Sequence, residues 1–384
     1  MSFSVSLFMD CELDFNSEYS IEIITYNENK NDPSDNDINL NICDQNTGIR
    51  HLSISLPDLI RAIITAGYPE KSCAWQRKLR LLKIPYLLYF FSAENRYLRL
   101  KNEIDSLEKS EKGTISYDLG MIFAHLLSER LLDISHTIHL SIARSHFDIE
   151  IARPANSNRL KEPDLIACNI TDNNQLSDIN LIEAKGTISK CNDNYINNGI
   201  SQLRNVASVN NNIDLGKYLS YFNGLKNNNL TIYWIDPDTE GKIKIKNLKA
   251  QYIIFSHYYK FFKMLLDYNT DQSGKMTIEK WKDFNFKGIP INDCLSENQL
   301  FIGIEEKIYK ILENTFKPDD NSEKNNTSKN NKNKNFDSSL KKLTENLRTF
   351  TETSDKIKSF KKNVEIPKNI SIGNDGIIIM LKKK

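Results

Sequence analysis

The sequence predicts an α/β chain: a mixed central sheet flanked by helices, with a small α+β module ahead of it and a helical, partly disordered region behind. Three observations predict it. Two apolar, β-rich runs, about 164 to 170 and 179 to 186, are bracketed by helical periodicity at 118 to 133 and at about 195 to 209. A further apolar run at 230 to 235 ends at Asp236-Pro237, so helix, strands, helix and strand follow one another within a single unit. From residue 250 onward the pattern turns helical, at 252 to 267 and 297 to 315.

Taken in order, residues 2 to 8, 19 to 26, 38 to 43 and 50 to 55 alternate as strands do, and Asn27 to Asp37 is an Asn/Asp-rich loop between them. Ser55 and Pro57 open a helix through Ala66, with Gly67 placed to end it. Between Gln76 and Lys101, seven basic residues, among them Arg77, Lys78, Arg80 and Lys83, face a single acid, Glu94. They are interleaved with Tyr86, Tyr89, Phe90, Phe91 and Tyr97. Such a stretch either tracks phosphates and stacks bases or is an amphipathic segment whose aromatics are core and whose cations are its wet face. The 118 to 133 helix carries Leu119, Ile122, Phe123 and Leu126 on one stripe, and that stripe continues at Glu129. A carboxylate there is either the polar edge of the face or is aimed at a cation. Residues 137 to 143 and 146 to 151 read as strands. Beyond 318, an Asn/Lys/Ser tract to 336 has little to bury and reads as a disordered linker. A basic helix, 338 to 362, and a short strand, Ile377 to Leu381, follow it.

These shifts divide the 384 residues into 1 to 110, 111 to 250, 251 to 317, 318 to 337 and 338 to 384. The formal net charge is +1, but residues 1 to 50 carry ten acids against two bases, while 319 to 384 carry nine against fifteen. A basic end is compatible with nucleic acid and an acidic one with a basic partner. The six cysteines show no CxxC and no zinc spacing, and read as reduced thiols. With acids at Asp10, Glu12 and Asp14, no secretory signal is expected. The longest apolar run, Ile84 to Phe91, is far short of the roughly 20 residues a membrane span needs. The expected location is the cytoplasm. No GxGxxG, GxxxxGK[ST] or GxSxG occurs, and His136, His139 and His146 have no carboxylate or cysteine at ligand spacing.

The chemistry concentrates in Glu162 to Gly186. Pro163-Asp164 stands at the mouth of one apolar run, and Glu183-Ala184-Lys185 ends the next. Strand alternation puts Leu181, Glu183 and Lys185 on one face, and an adjacent strand would bring Asp164 alongside. Two carboxylates with one lysine between them repel each other unless a hard divalent cation joins them. Pro-Asp occurs four times and Glu-x-Lys four times in the chain. Only the pair Asp164 and Glu183 combines strand context with a spacing of a few tens of residues.

This arrangement resembles the PD-(D/E)xK, or restriction endonuclease-like, nuclease superfamily, over about 118 to 236. The resemblance implies a restriction endonuclease-like core with Asp164 and Glu183 on Mg2+ (or Mn2+) and the Ala184 carbonyl as a further ligand. It also implies Lys185 orienting or activating the attacking water, Glu129 as an acid some members carry on the first helix, and Gln202 as a polar residue on the second. The segment 146 to 151 is extra to the simplest pattern and leaves the first core strand open. The expected function is a metal-dependent nuclease acting on nucleic acid, with DNA as the favoured substrate, in a restriction, phage-defence or mobile-element setting. A protein partner or a second copy of the chain would serve docking. The rival is a non-catalytic nucleic-acid-binding or assembly subunit that keeps the fold.

Overall fold

Strands before residue 250 form a nine-stranded and a three-stranded sheet, strands after it form a five-stranded one, and helices pack between them. The computed structural model describes residues 11–14, 16–27, 49–66, 74–153, 161–189, 193–224, 228–237, 241–270, 275–292, 298–316 and 329–383. The strands expected at 2 to 8 and 38 to 43, and the linker as far as residue 328, lie outside them.

Strands β1 (Glu18–Asn27) and β2 (Ile49–Ser55) pair antiparallel. Helix α1 (Leu56–Thr65) starts where Ser55 Oγ accepts the Asp58 N–H at 3.3 Å and Asp58 Oδ2 accepts the Ser55 N–H at 3.0 Å. That capping box, with Pro57 in the first turn, is why the chain turns helical there. Helix α2 (Ala74–Leu88) leads to the hairpin β3 (Phe91–Glu94) and β4 (Tyr97–Leu100). Then come the long helix α3 (Lys109–Leu132), β5 (His136–His139), the short α4 (Leu140–His146) and β6 (Glu150–Ala152). The motif strands are β7 (Leu165–Ile170) and β8 (Leu176–Thr187), followed by α5 (Asp193–Arg204), β9 (Val206–Val209), β10 (Gly216–Asn223), β11 (Thr231–Asp236) and β12 (Ile243–Lys246).

Nine strands form one mixed sheet in the order β3-β4-β1-β11-β10-β8-β7-β5, with β2 also on β1. The N-terminal strands are therefore part of the central sheet, because β1 pairs parallel with β11 from Glu22↔Thr231 to Asn27↔Asp236. Residues 140 to 146 differ from the strand expected there. They are helical, the His139 ring accepts the Ser141 N–H at 3.2 Å as an N-cap, and β6 pairs with β12 in a separate three-stranded sheet. The first strand of the motif group is thus β5, which pairs antiparallel with β7.

The second half also differs from a purely helical extension. Helix α6 (Ala250–Thr270) is followed by β13 (Thr277–Trp281), β14 (Phe284–Asn292) and β15 (Asn298–Glu305), where a helix was expected to begin. Helix α7 (Glu306–Phe316), the long α8 (Lys329–Asn363), β16 (Ile370–Ile372) and β17 (Ile377–Lys383) complete a five-stranded sheet, β13-β14-β15-β17-β16. Its Phe284, Phe286, Phe301, Ile378 and Met380 form a small core of their own beside the large one.

Buried polar groups fasten this second sheet to α1, α3 and α6. Arg61, 1% exposed, donates from Nη1 to Glu129 Oε2 at 2.6 Å and from Nε to Ser371 Oγ at 2.9 Å. Ser371 Oγ in turn donates to Asp58 Oδ1 at 2.6 Å, and Lys361 Nζ reaches Glu129 Oε1 at 2.8 Å. His257 Nε2 lies 2.8 Å from Asp375 Oδ2 and its Nδ1 3.1 Å from the Thr137 carbonyl. A carbonyl only accepts, so Nδ1 carries a proton and the His257–Asp375 contact holds another.

Candidate functional site

Helix α3 and helix α5 lie on opposite faces of β8, and glycines set how closely. A Cβ at Gly186 would stand 2.1 Å from the Ser116 carbonyl oxygen, and one at Gly120 2.8 Å from that of Lys185. No side chain fits between these backbones, so the α3 face of β8 is fixed at glycine distance. On the other face, a Cβ at Gly199 of α5 would meet Leu219 Cδ1 at 2.6 Å and Glu183 Cγ at 3.5 Å. Period-two alternation explains the division: Glu183 points toward α5 and Gly186 toward α3.

Antiparallel register between β7 and β8 pairs Leu165 with Ile182, which sets Asp164 opposite Glu183 one step on. The two acids then interlock through each other's backbone. The Asp164 N–H donates to Glu183 Oε2 at 3.1 Å, and the Ala184 N–H donates to Asp164 Oδ2 at 3.2 Å. The carbonyl of a strand residue points to the same side as its N–H, so Ala184 turns its carbonyl toward Asp164 as well. Lys185 Nζ donates to Glu183 Oε1. Glu183 is fully buried, Asp164 is half-buried and Lys185 is 25% exposed.

Burial first, and then the charge of Asp164, push the Glu183 carboxyl up to about 8 against the opposing pull of Lys185. Desolvation disfavours the charged carboxylate, and the neighbouring negative charge adds to it. The residues fit a hard divalent cation in kind: two carboxylates and a backbone carbonyl, all oxygen, beside a lysine. Among the described residues, no group of three His, Cys, Asp or Glu is arranged to hold a metal.

Two of the expected residues are elsewhere. Glu129 is not brought to Asp164. It lies nine residues beyond Gly120 on α3, some 13 Å along the helix axis, and both its oxygens are spent on Arg61 and Lys361. Burial would raise its carboxyl, but Arg61, Lys361 and Arg130 outweigh this and hold it well below the usual carboxylate range. Lys83 pairs with the buried Asp118 at 3.2 Å, while the side chains of Arg77, Lys78 and Arg80 lie outside the described residues. Phe90 and Phe91 of the same stretch are core, and Tyr89 is packed against it. Gln202 sits one turn beyond Gly199 on α5, partly exposed.

Other residues join the site without a sequence signal of their own. Tyr117 of α3, 37% exposed, has its hydroxyl pushed far up by burial and by the charges of Asp164, Asp118 and Glu183, so it lies in the field of both acids. The Asp164 carbonyl accepts the Leu140 N–H at 2.9 Å, which ties the start of α4 to the motif. Glu162 accepts from Arg144 through Oε1 and from Arg153 through Oε2. A helix reading that began at residue 118 passes over Tyr117, and the arginines meet Glu162 only once α4 has formed. Among the described residues, no helix is long and apolar enough to cross a membrane. Compared with protein-family models, with curated proteins and with solved structures, the chain finds no match.

Proposed function

We propose that the chain is a divalent-cation-dependent nuclease of the restriction endonuclease-like kind, hydrolysing nucleic-acid phosphodiesters, with DNA the favoured substrate and a restriction, phage-defence or mobile-element setting. The observation that carries the reading is the interlocked pair Asp164 and Glu183, with Glu183 buried and its carboxyl raised to about 8. A protein gains nothing in stability from a second buried acid beside the first, so the pair asks for a cation. Along the chain α3, β5, α4, β6, β7, β8, α5, β9 and β10 follow one another, and the adjacency of β5, β7, β8 and β10 in one sheet, with β10 parallel to β8, supports a nuclease-like core around it.

Bound there, Mg2+ or Mn2+ would neutralise the phosphate and lower the pKa of attacking water. The chain's own residues do the rest. Asp164 and Glu183 would hold the cation, with the Ala184 carbonyl as the neutral donor, and the backbone bonds between the acids fix their spacing in advance. Lys185, partly exposed beside Glu183, would release that carboxylate to the cation and turn its ammonium to the nucleophile or the phosphate. Asp164→Ala, Glu183→Ala and Lys185→Ala are each expected to lower Mg2+-dependent cleavage of plasmid DNA by at least ~10²-fold with the fold retained by circular dichroism. Cleavage that survives all three ends the proposal.

A second reading is supported by one detail: Glu183 Oε1 is already taken by Lys185 and Oε2 by the Asp164 N–H. A site closed in this way suits a non-catalytic nucleic-acid-binding or assembly subunit. Nucleic-acid binding in chelator, with no cleavage when Mg2+ or Mn2+ is restored, selects that reading.

A further inference from the structure

We infer that Arg144 and Arg153, spaced by Glu162, form a clamp for a phosphate next to the one at Asp164 and Glu183, so that the chain grips a nucleic-acid strand at two successive backbone positions. The inference rests on the nucleic-acid reading of the Asp164 site, and on geometry that reading does not use.

Two separate tethers bring Arg144 to the motif. It lies one helical turn after Leu140, whose N–H is held by the Asp164 carbonyl, and its guanidinium donates to Glu162 Oε1. Glu162 stands two residues before Asp164, and a residue preceding proline is restricted to extended backbone. The two positions are therefore about 7 Å apart along the chain. Arg153, at the far side, donates from Nη2 to Glu162 Oε2, and its Nε is a buried donor with no partner among the described residues.

The charge arithmetic favours an anion. One carboxylate spends one oxygen on each guanidinium, so the trio keeps a net charge of +1. Each arginine carries five N–H donors, in a fork that matches phosphate oxygens two at a time. Arg144 is 37% and Arg153 26% exposed, enough for a strand to reach both. A phosphate approaching Asp164 and Glu183 alone would meet like charge, and a cationic group one step away offsets that repulsion along the strand. Were the trio only a fastener between α4 and the segment before β7, Arg153 would have no reason to leave a buried donor unspent.

The test uses the full chain in chelator, so that binding is read without cleavage. Labelled single-stranded DNA, duplex DNA and RNA of equal length are titrated across a salt series, and the three arms tell which backbone is gripped. Arg144→Ala and Arg153→Ala are each expected to weaken binding by about 3- to 10-fold and to reduce the slope of log affinity on log salt by about one. Glu162→Gln separates a clamp from a fastener. It removes the negative charge and leaves one acceptor oxygen in place of two, so at least one guanidinium is released, and it is expected to tighten binding, whereas loss of a structural ion pair would loosen it. Unchanged affinity and slope in the arginine variants, or weaker binding in Glu162→Gln, overturns the clamp even if the chain cleaves with Mg2+. Binding that follows the expected pattern with no cleavage on adding Mg2+ upholds the clamp and removes the nuclease reading. Absence of binding in all three arms overturns the clamp.

Discussion

Glu183 is a carboxyl that the fold holds against its own stability. In an unfolded chain it titrates in the ordinary range, near 4.5, and in the folded one at about 8. The folded state thus binds the extra proton between those values, and stability falls as pH rises through the interval, by on the order of 5 kcal/mol in all. His125 acts in the opposite sense at lower pH. Burial first, then His257 and Arg61, bring it down to about 4 from its ordinary 6.5, so the unfolded state binds the extra proton there and stability rises with pH between 4 and 6.5. Where the two intervals overlap, up to 6.5, the effects oppose each other, and above it the Glu183 effect continues without that of His125. A falling Tm from pH 6.5 to 8 in chelator is expected, and Glu183→Gln should abolish the fall. Mg2+ should restore the Tm of the wild-type chain at pH 8 but not that of Asp164→Ala, since a ligand stabilises only the state it binds. That Glu183 and Lys185 share a face was legible in the sequence because strand alternation decides it, whereas Asp164 needed the β7–β8 register and Ala184 was named only by the family resemblance. Glu129 was not legible. Its stripe announced an out-of-place carboxylate, yet the cations that answer it are 68 residues earlier and 232 later, beyond any local pattern.

At the scale of elements, the site depends on α3 lying on β8 with no side chain between Gly120, Ser116 and Gly186. Gly186→Val is expected to push α3 off the strand that carries Glu183 and Lys185, destabilising the fold by roughly 1–3 kcal/mol or more. Chemical denaturation would measure it, and wild-type stability in that variant would show that the contact has slack. Elements with a clear period were readable: β1, α1, α6 and β17 fall where alternation, a capping box or helical spacing put them. Strand β10 was not readable, although it lies beside β8, because Lys217 and Ser220 interrupt its apolar run. Both are buried, and Lys217 Nζ is satisfied by the Val206 carbonyl at 2.6 Å, a partner that only the folded chain provides. The same holds for α4, where β-branched and polar residues suit a strand until His139 caps the turn.

Across the whole molecule, Asp58 and Arg61 of α1, Glu129 of α3, Lys361 of α8 and Ser371 of β16 meet in one buried set of polar and charged groups. Arg61→Met leaves the buried Glu129 with Lys361 alone in direct contact and Asp58 with Arg130 and Ser371, and is expected to cost about 3–5 kcal/mol by denaturant unfolding. Arg61→Met combined with Glu129→Leu should recover much of that, because the penalty lies in the unpaired charge and not in the missing pair. Separate periodicities in the two halves could suggest separate units, and only these long-range contacts reveal how the halves are joined. Ser371 and Asp58, 313 residues apart, share one hydrogen bond. During synthesis, α1 therefore waits with Arg61 and Asp58 incompletely paired until residues 371 to 375 have left the ribosome. Contacts this distant form late. A nascent chain that already carries the Asp164–Glu183 motif therefore still lacks the strand whose Ser371 bonds both Arg61 and Asp58.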